Sequence, residues 1–173
     1  MKISELKKHI RDIPNFPKEG IIFKDISTLL KDARALRKSI DTLAAHFKKE
    51  RIAYVVAVEA RGFIFGAALA YKLGAGFIPV RKKGKLPYKT KSVTYQLEYG
   101  MDTLEIHEDA IPADARVLVV DDLLATGGTV RAVIDLLKLQ KANVVGVAFL
   151  VELQFLKGKE KLKDLPMYSV IQY

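Results

Sequence analysis

Apolar residues in this chain fall into short dense runs separated by stretches where they recur every third or fourth position. Ile52 to Val58 is a near-continuous apolar run, the pattern of a strand covered on both faces, where neither side is left for polar residues. Gly76 to Val80, Arg116 to Val120 and Asn143 to Val151 repeat it. Between them, Phe63 to Leu73 is apolar nearly all round, which predicts a buried helix stopped by Gly74. Val130, Val133, Ile134 and Leu137 fall at helical spacing, and Asp32 stands where it can cap a helix running through Leu36, Ile40 and Leu43. Strand and helix signals alternating in this way predict an α/β domain with a central parallel sheet flanked by helices.

Two segments depart from the alternation. From Lys82 to Asp109 the chain is polar and carries Gly84, Pro87 and Gly100, with short alternating runs at Ser92 to Leu97 and Thr103 to His107. A long β-hairpin projecting from the sheet is expected there, and long excursions of this kind usually act as lids or binding loops. The N-terminal segment places Pro14, Pro17 and Gly20 before Ile21-Ile22-Phe23, and it is expected to fold as a small hood over one end of the sheet. There is no internal repeat, low-complexity stretch or linker. The expected organisation is one domain, 1–173, with a hood at 1–30 and a flexible loop at 82–109.

Composition narrows the setting more than the chemistry. The 173 residues, half of them hydrophobic, suffice for a sizeable core. The absence of cysteine removes disulfides, thiolate nucleophiles and thiolate metal sites. No apolar run reaches the length of a bilayer span, and the mixed charges of the first 14 residues make a poor signal peptide, so a cytoplasmic protein without membrane partners is expected. The net charge of +9 fits either a solvated surface or an anionic partner. Arg81, Lys82, Lys83, Lys85, Lys89 and Lys91 crowd one short stretch; Lys157, Lys159, Lys161 and Lys163, interleaved with Glu160 and Asp164, read as an exposed helix face.

Candidate chemistry concentrates at residues 117–129, Val-Leu-Val-Val-Asp-Asp-Leu-Leu-Ala-Thr-Gly-Gly-Thr. A buried strand is expected to end at Asp121 and Asp122, and a short loop leads straight into a helix. Unpaired N–H groups and the positive end of the helix dipole suit that helix start to an anion. The run is neither a P-loop, since no Lys-Ser or Lys-Thr pair follows the glycines, nor a Gly-x-Gly-x-x-Gly fingerprint. Two acids beside a phosphate cradle describe a ligand with hydroxyls and a phosphate, a ribose phosphate. At the end of the Ile52–Val58 strand, Glu59-Ala60-Arg61-Gly62 brings a forked cation to the same sheet edge, where Arg61 serves either an anionic ligand or a structural bridge to Glu59.

The 117–129 motif resembles the signature of the purine/pyrimidine phosphoribosyltransferase family. Four further motifs follow the family's adenine-using members in order: Gly-Ile-Ile-Phe-Lys-Asp-Ile (20–26), Glu-Ala-Arg-Gly-Phe (59–63), Arg-Lys-Lys-Gly-Lys-Leu-Pro (81–87) and Leu-Glu-Tyr-Gly (97–100). The resemblance runs from about Ile10 to the C-terminus. It implies a type I phosphoribosyltransferase fold and transfer of the phosphoribosyl group from 5-phosphoribosyl-1-pyrophosphate (PRPP) to adenine, giving AMP and pyrophosphate. It places Asp121 and Asp122 on the ribose hydroxyls, and Ala125, Thr126, Gly127, Gly128 and Thr129 on the 5-phosphate. Ala60, Arg61, Arg81, Lys82 and Lys85 are placed on pyrophosphate. Ile22, Phe23, Lys24 and Leu153 are placed on adenine; some members carry Arg where Lys24 stands, a neutral exchange if the backbone does the recognising. Glu98 alone would read as surface, but the family's catalytic Glu sits at this position, and the reaction needs a group to take the purine proton. His9, His46 and His107 have no supporting motif. The family also implies Mg²⁺, carried mainly by the substrate rather than by direct protein ligands, and a homodimer. Two rivals share the sugar site: a phosphoribosyltransferase for another purine, and a non-catalytic nucleic-acid-binding regulator on the same fold.

Overall fold

A computed structural model describes residues 1–96 and 100–173. In chain order the elements are α1 (Ile3–Leu6), β1 (Arg11–Pro14), β2 (Ile22–Asp25), α2 (Ser27–Lys31), α3 (Ala33–Phe47), β3 (Tyr54–Val58), α4 (Gly62–Leu73) and β4 (Gly76–Lys82). They continue with β5 (Thr90–Gln96), β6 (Met101–His107), β7 (Arg116–Leu124), α5 (Gly128–Leu139), β8 (Asn143–Glu152) and β9 (Met167–Gln172).

Seven strands form one sheet in the order β5-β6-β4-β3-β7-β8-β9. The five from β4 to β9 run parallel, and the β5–β6 hairpin joins β4 antiparallel through Arg81↔Glu105 and Lys82↔Leu104. Consecutive residues of β7 face opposite layers, as the pleat requires. Leu118 and Val120 pack with Leu43, Phe65 and Leu69 of α3 and α4, whereas Val117 and Val119 pack with Val133, Ile134 and Leu137 of α5. Asp32 caps α3 as its position predicts, its carboxylate accepting from the N–H groups of Arg34 and Ala35. Gly74 ends α4 at φ 67, a left-handed cap that a β-carbon would disfavour.

Four features differ from the sequence reading. β7 does not stop at Val120: β8 continues to pair beside it (Asp121↔Phe149, Leu124↔Glu152) after β3 has ended at Ala57↔Val120. The acid pair therefore lies inside a strand, at the point where one of its two neighbours drops away. The hairpin expected to project is anchored in the core, with Leu104 and Ile106 fully buried against the α5 layer. The basic stretch near residue 160 is a pair of short 3₁₀ turns (Gln154–Leu156 and Gly158–Leu162) that buries Gly158 and Leu162. β9, short and half polar, gave no apolar run to announce it, yet it closes the sheet edge beside β8. Within the segment expected to form the hood, 1–30, β1 and β2 pair antiparallel.

Candidate active site

The site collects where β3 ends and β7 runs on. Asp121 and Asp122 sit there next to each other, the Asp122 N–H donating to Asp121 Oδ1 at 2.8 Å. Burial pushes both carboxyls up from the ordinary carboxylate value, and the charge of Asp122 adds to the rise at Asp121. Arg61, at the start of α4, opposes this at Asp122: its Nε lies 2.9 Å from Oδ2. That contact is an ion pair without hydrogen-bond alignment, so Asp122 Oδ2 is buried with no hydrogen-bond donor among the described residues. A buried acid in this state favours a ligand that brings hydroxyl donors or a cation. The backbone of α4 comes close enough that a β-carbon at Gly62 would stand 2.8 Å from Asp121 Oδ1.

The anion cradle follows directly. After Leu124 the chain turns through Gly127 at φ 77, and no side chain caps α5, which leaves its first N–H groups open. Asp121 and residues 123–130 line a cavity of about 80 Å³ here. That is room for several waters, the scale of a phosphate group rather than a purine. Thr129 Oγ1 lies 3.4 Å from the Tyr95 hydroxyl of β5, which ties the cradle to the hairpin.

On the other side of Arg61 stands a cluster that sequence reasoning assigned only in part. Glu59 does not pair with Arg61. Its carboxylate instead accepts from the Lys82 N–H at 2.7 Å, Lys85 Nζ at 2.9 Å and Arg81 Nη2 at 3.2 Å. Burial alone would raise Glu59, but these donors outweigh it and hold it below the ordinary carboxylate range. Arg81 and Lys85 thus share one acid, while the Lys82 ammonium turns to Asp102 at 3.0 Å on β6. The clue to Glu59 was present in the sequence as an acid at a strand end amid cations, but which cations it would meet depended on the β3–β4 register.

The hood reaches the same centre through Arg61, whose guanidinium carbon lies 5.2 Å from the centroid of the Phe23 ring. Phe16 packs edge-on against Phe23 at 5.2 Å. Ile22 is exposed, and Lys24 is held by Asp12 at 2.7 Å and by the Tyr173 ring at 4.0 Å. Leu153 is buried, its N–H donating to Leu124 O beside the cradle. Ala60, exposed, joins Glu59 to Arg61. Arg61 therefore touches both the acid pair and the hood. Glu98, with Leu97 and Tyr99, lies outside the described residues. His46 stacks on the Tyr168 ring at 3.9 Å, and His9 Nδ1 lies 3.6 Å from Asp32 Oδ2. Among the described residues no cluster of three or more His, Cys, Asp or Glu could hold a metal ion.

Comparison with known proteins bears on family and fold. Residues 25–171 match the phosphoribosyl transferase domain. The chain is 58% identical over 168 residues to the adenine phosphoribosyltransferase of Solidesulfovibrio magneticus, covering 97% of this chain and 98% of that protein. Among solved structures, the adenine phosphoribosyltransferase of Thermoanaerobacter pseudethanolicus superposes with a TM-score of 0.96 at 51% identity, over 99% of this chain and 100% of that one. The Saccharomyces cerevisiae enzyme, complexed with an imino-altritol bisphosphate and adenine, superposes with a TM-score of 0.93 at 42% identity, over 97% of each chain.

Proposed function

The chain belongs to the phosphoribosyltransferase family, and from that premise we infer that it transfers the phosphoribosyl group of PRPP to adenine, releasing pyrophosphate and forming AMP. The observation that carries this reading is the contact of Arg61 with both Asp122 and Phe23, which joins a sugar-and-phosphate site to an aromatic hood. A ribose phosphate fits one side of that arginine and a flat base the other.

Asp121 and Asp122 accept the ribose hydroxyls, and the backbone and hydroxyls of Ala125, Thr126, Gly127, Gly128 and Thr129 hold the 5-phosphate. Ala60, Arg61, Arg81, Lys82 and Lys85 receive the pyrophosphate. The charge that gathers on this leaving group competes with Glu59, Asp102 and Asp122 for the cations those acids hold. Phe23 stacks on adenine, the backbone of Ile22 and Lys24 reads its amino edge, and Leu153 closes the other face. Glu98 takes the proton that purine N9 must lose as it bonds to the ribose carbon. The purine attacks one face of that carbon as pyrophosphate departs from the other, so configuration inverts.

Mg²⁺ suits the donor set, since two adjoining hard carboxylates, one with a buried oxygen that receives no hydrogen bond among the described residues, match an ion that keeps waters and rides on substrate phosphates. Carried mainly by PRPP rather than by direct protein ligands, it would supply neutralisation of the pyrophosphate charge. The single-domain organisation, with its hood at 1–30 and loop at 82–109, and a cytoplasmic homodimer complete the proposal; light scattering tests the dimer.

Incubation with Mg²⁺, PRPP and each purine separately tests the function. AMP formation from adenine is expected; turnover with guanine or hypoxanthine alone would leave the sugar chemistry standing and overturn the base assignment.

A further inference from the structure

The basic stretch between β8 and β9 has no part in the reaction as described, yet the structure folds it against the cradle. Gly158 is buried there: a β-carbon at Gly127 would stand 2.6 Å from Gly158 O, and one at Gly158 would collide with the Ala125 carbonyl. Two attachments hold the turn in place. Leu162 is buried beneath α5, and Arg131 of α5 donates to both Asp164 carboxylate oxygens at 3.1 and 3.0 Å. Lys161 stands directly before Leu162, and its Nζ is 4.0 Å from the point where a β-carbon at Gly128 would stand. Gly128 opens α5 and lines the cavity.

Charge makes this placement consequential. A phosphate monoester carries roughly −1.5 to −2 at neutral pH, and a helix N-terminus offers only about half a positive charge. Asp121, in the same cavity wall, makes the shortfall larger. Arg61, Arg81, Lys82 and Lys85 are each committed to Asp122, Glu59 or Asp102, and Arg131 to Asp135 and Asp164. Lys161 is exposed and makes no ion pair among the described residues. It is a cation beside the cradle that no acid among the described residues holds.

We propose that Gly158 and Lys161 form a second wall of the 5-phosphate pocket, Gly158 shaping the loop and Lys161 supplying the positive charge that the helix end lacks. This rests on the phosphoribosyl reading of the site and adds a binding residue to it. The test measures ribose 5-phosphate affinity by calorimetry, at low and high KCl, together with steady-state kinetics for both substrates. Lys161→Ala is expected to weaken ribose 5-phosphate binding and raise KM for PRPP by about tenfold, the lower end of what one hydrogen bond to a charged group is worth, with KM for adenine within about twofold. Lys161→Arg retains the affinity, and Lys159→Ala, in the same turn, changes nothing. Added KCl weakens the wild type more than Lys161→Ala, because the attraction it screens is gone from the variant. Gly158→Ala weakens PRPP binding by displacing the Ala125 carbonyl. Equal ribose 5-phosphate affinity for wild type and Lys161→Ala overturns the proposal while leaving the enzyme reading intact, as does an equal loss in Lys159→Ala. A wild-type protein that neither binds ribose 5-phosphate nor forms AMP sinks the functional reading, and the proposal with it.

Discussion

Asp121 weighs on stability at neutral pH in return for the ribose contact proposed for it. Its carboxyl is raised by burial and by Asp122, so the native state binds that proton more tightly than the unfolded chain, whose aspartates titrate near 3.9. Native stability attributable to this group accordingly falls as pH rises through the window above that value. Asp121→Asn keeps the acceptor for the Asp122 N–H and removes the ionisation. We expect it to melt above the wild type at about pH 8, the gap closing toward about pH 4, while PRPP affinity drops. Thermal unfolding across pH checks this, and a variant that melts below the wild type at every pH contradicts it. PRPP binding should also release protons, because hydroxyl donors favour the ionised pair; calorimetry in buffers of different ionisation enthalpy reads that directly. Glu98→Gln is expected to lower kcat more than it weakens PRPP binding, and an unchanged kcat in single-turnover kinetics removes Glu98 from proton transfer. Asp121 and Asp122 were marked in the sequence by their setting, and Glu98 only by the family resemblance. Glu59 was visible as an acid at a strand end, but its partners were not, since its three donors come from β4 and the residues after it, which only the parallel β3–β4 pairing brings within reach.

At the level of elements, the hood and the hairpin are held by different forces. The hood is a two-stranded ribbon closed by the Arg11–Asp25 pair at 2.6 Å and the Lys24–Asp12 pair at 2.7 Å. Hydrogen bonds from Ser27, then Arg11, hold Asp25 down to about 2. The stability these contacts add is complete above the unfolded value of 3.8 and is lost as pH falls through about 2. We expect amide exchange in β1 and β2, relative to the sheet strands, to accelerate over that range, and Asp25→Asn to show the faster exchange at neutral pH, the difference closing as pH falls toward about 2. The hairpin depends instead on burial. Leu104 is 1% exposed, so Leu104→Ala is expected to cost about 2–5 kcal/mol of global stability in denaturant unfolding. A loss confined to activity, with stability unchanged, would mean the hairpin base is not part of the core. The alternating residues of β5 and β6 made the hairpin recognisable in the sequence. Its attachment was hidden, because the same alternation suits a free-standing ribbon and an edge of the main sheet.

Across the whole molecule, the site exists because strands of unequal length lie side by side. β3 ends at Val58 and β7 continues to Leu124, which leaves a step in the sheet edge where Arg61 meets Asp122. Ligands of open α/β sheets bind at such carboxyl ends, where loops from several strands converge. Binding of PRPP across this step should stabilise the entire fold by about 2.7 kcal/mol at a hundredfold excess over its Kd, a shift that thermal denaturation can follow. The chain's local chemistry was enough to mark the alternating elements, the helix start that follows Gly127 and the acid pair. Each depends on residues adjacent in sequence, and periodicity and capping act over a few positions. Which cation meets which acid, how far β7 outlasts β3, and the seating of Gly158 behind Gly127 depend on residues brought together from distant parts of the chain. Strand register and core packing set those distances, and no local pattern of side chains encodes them.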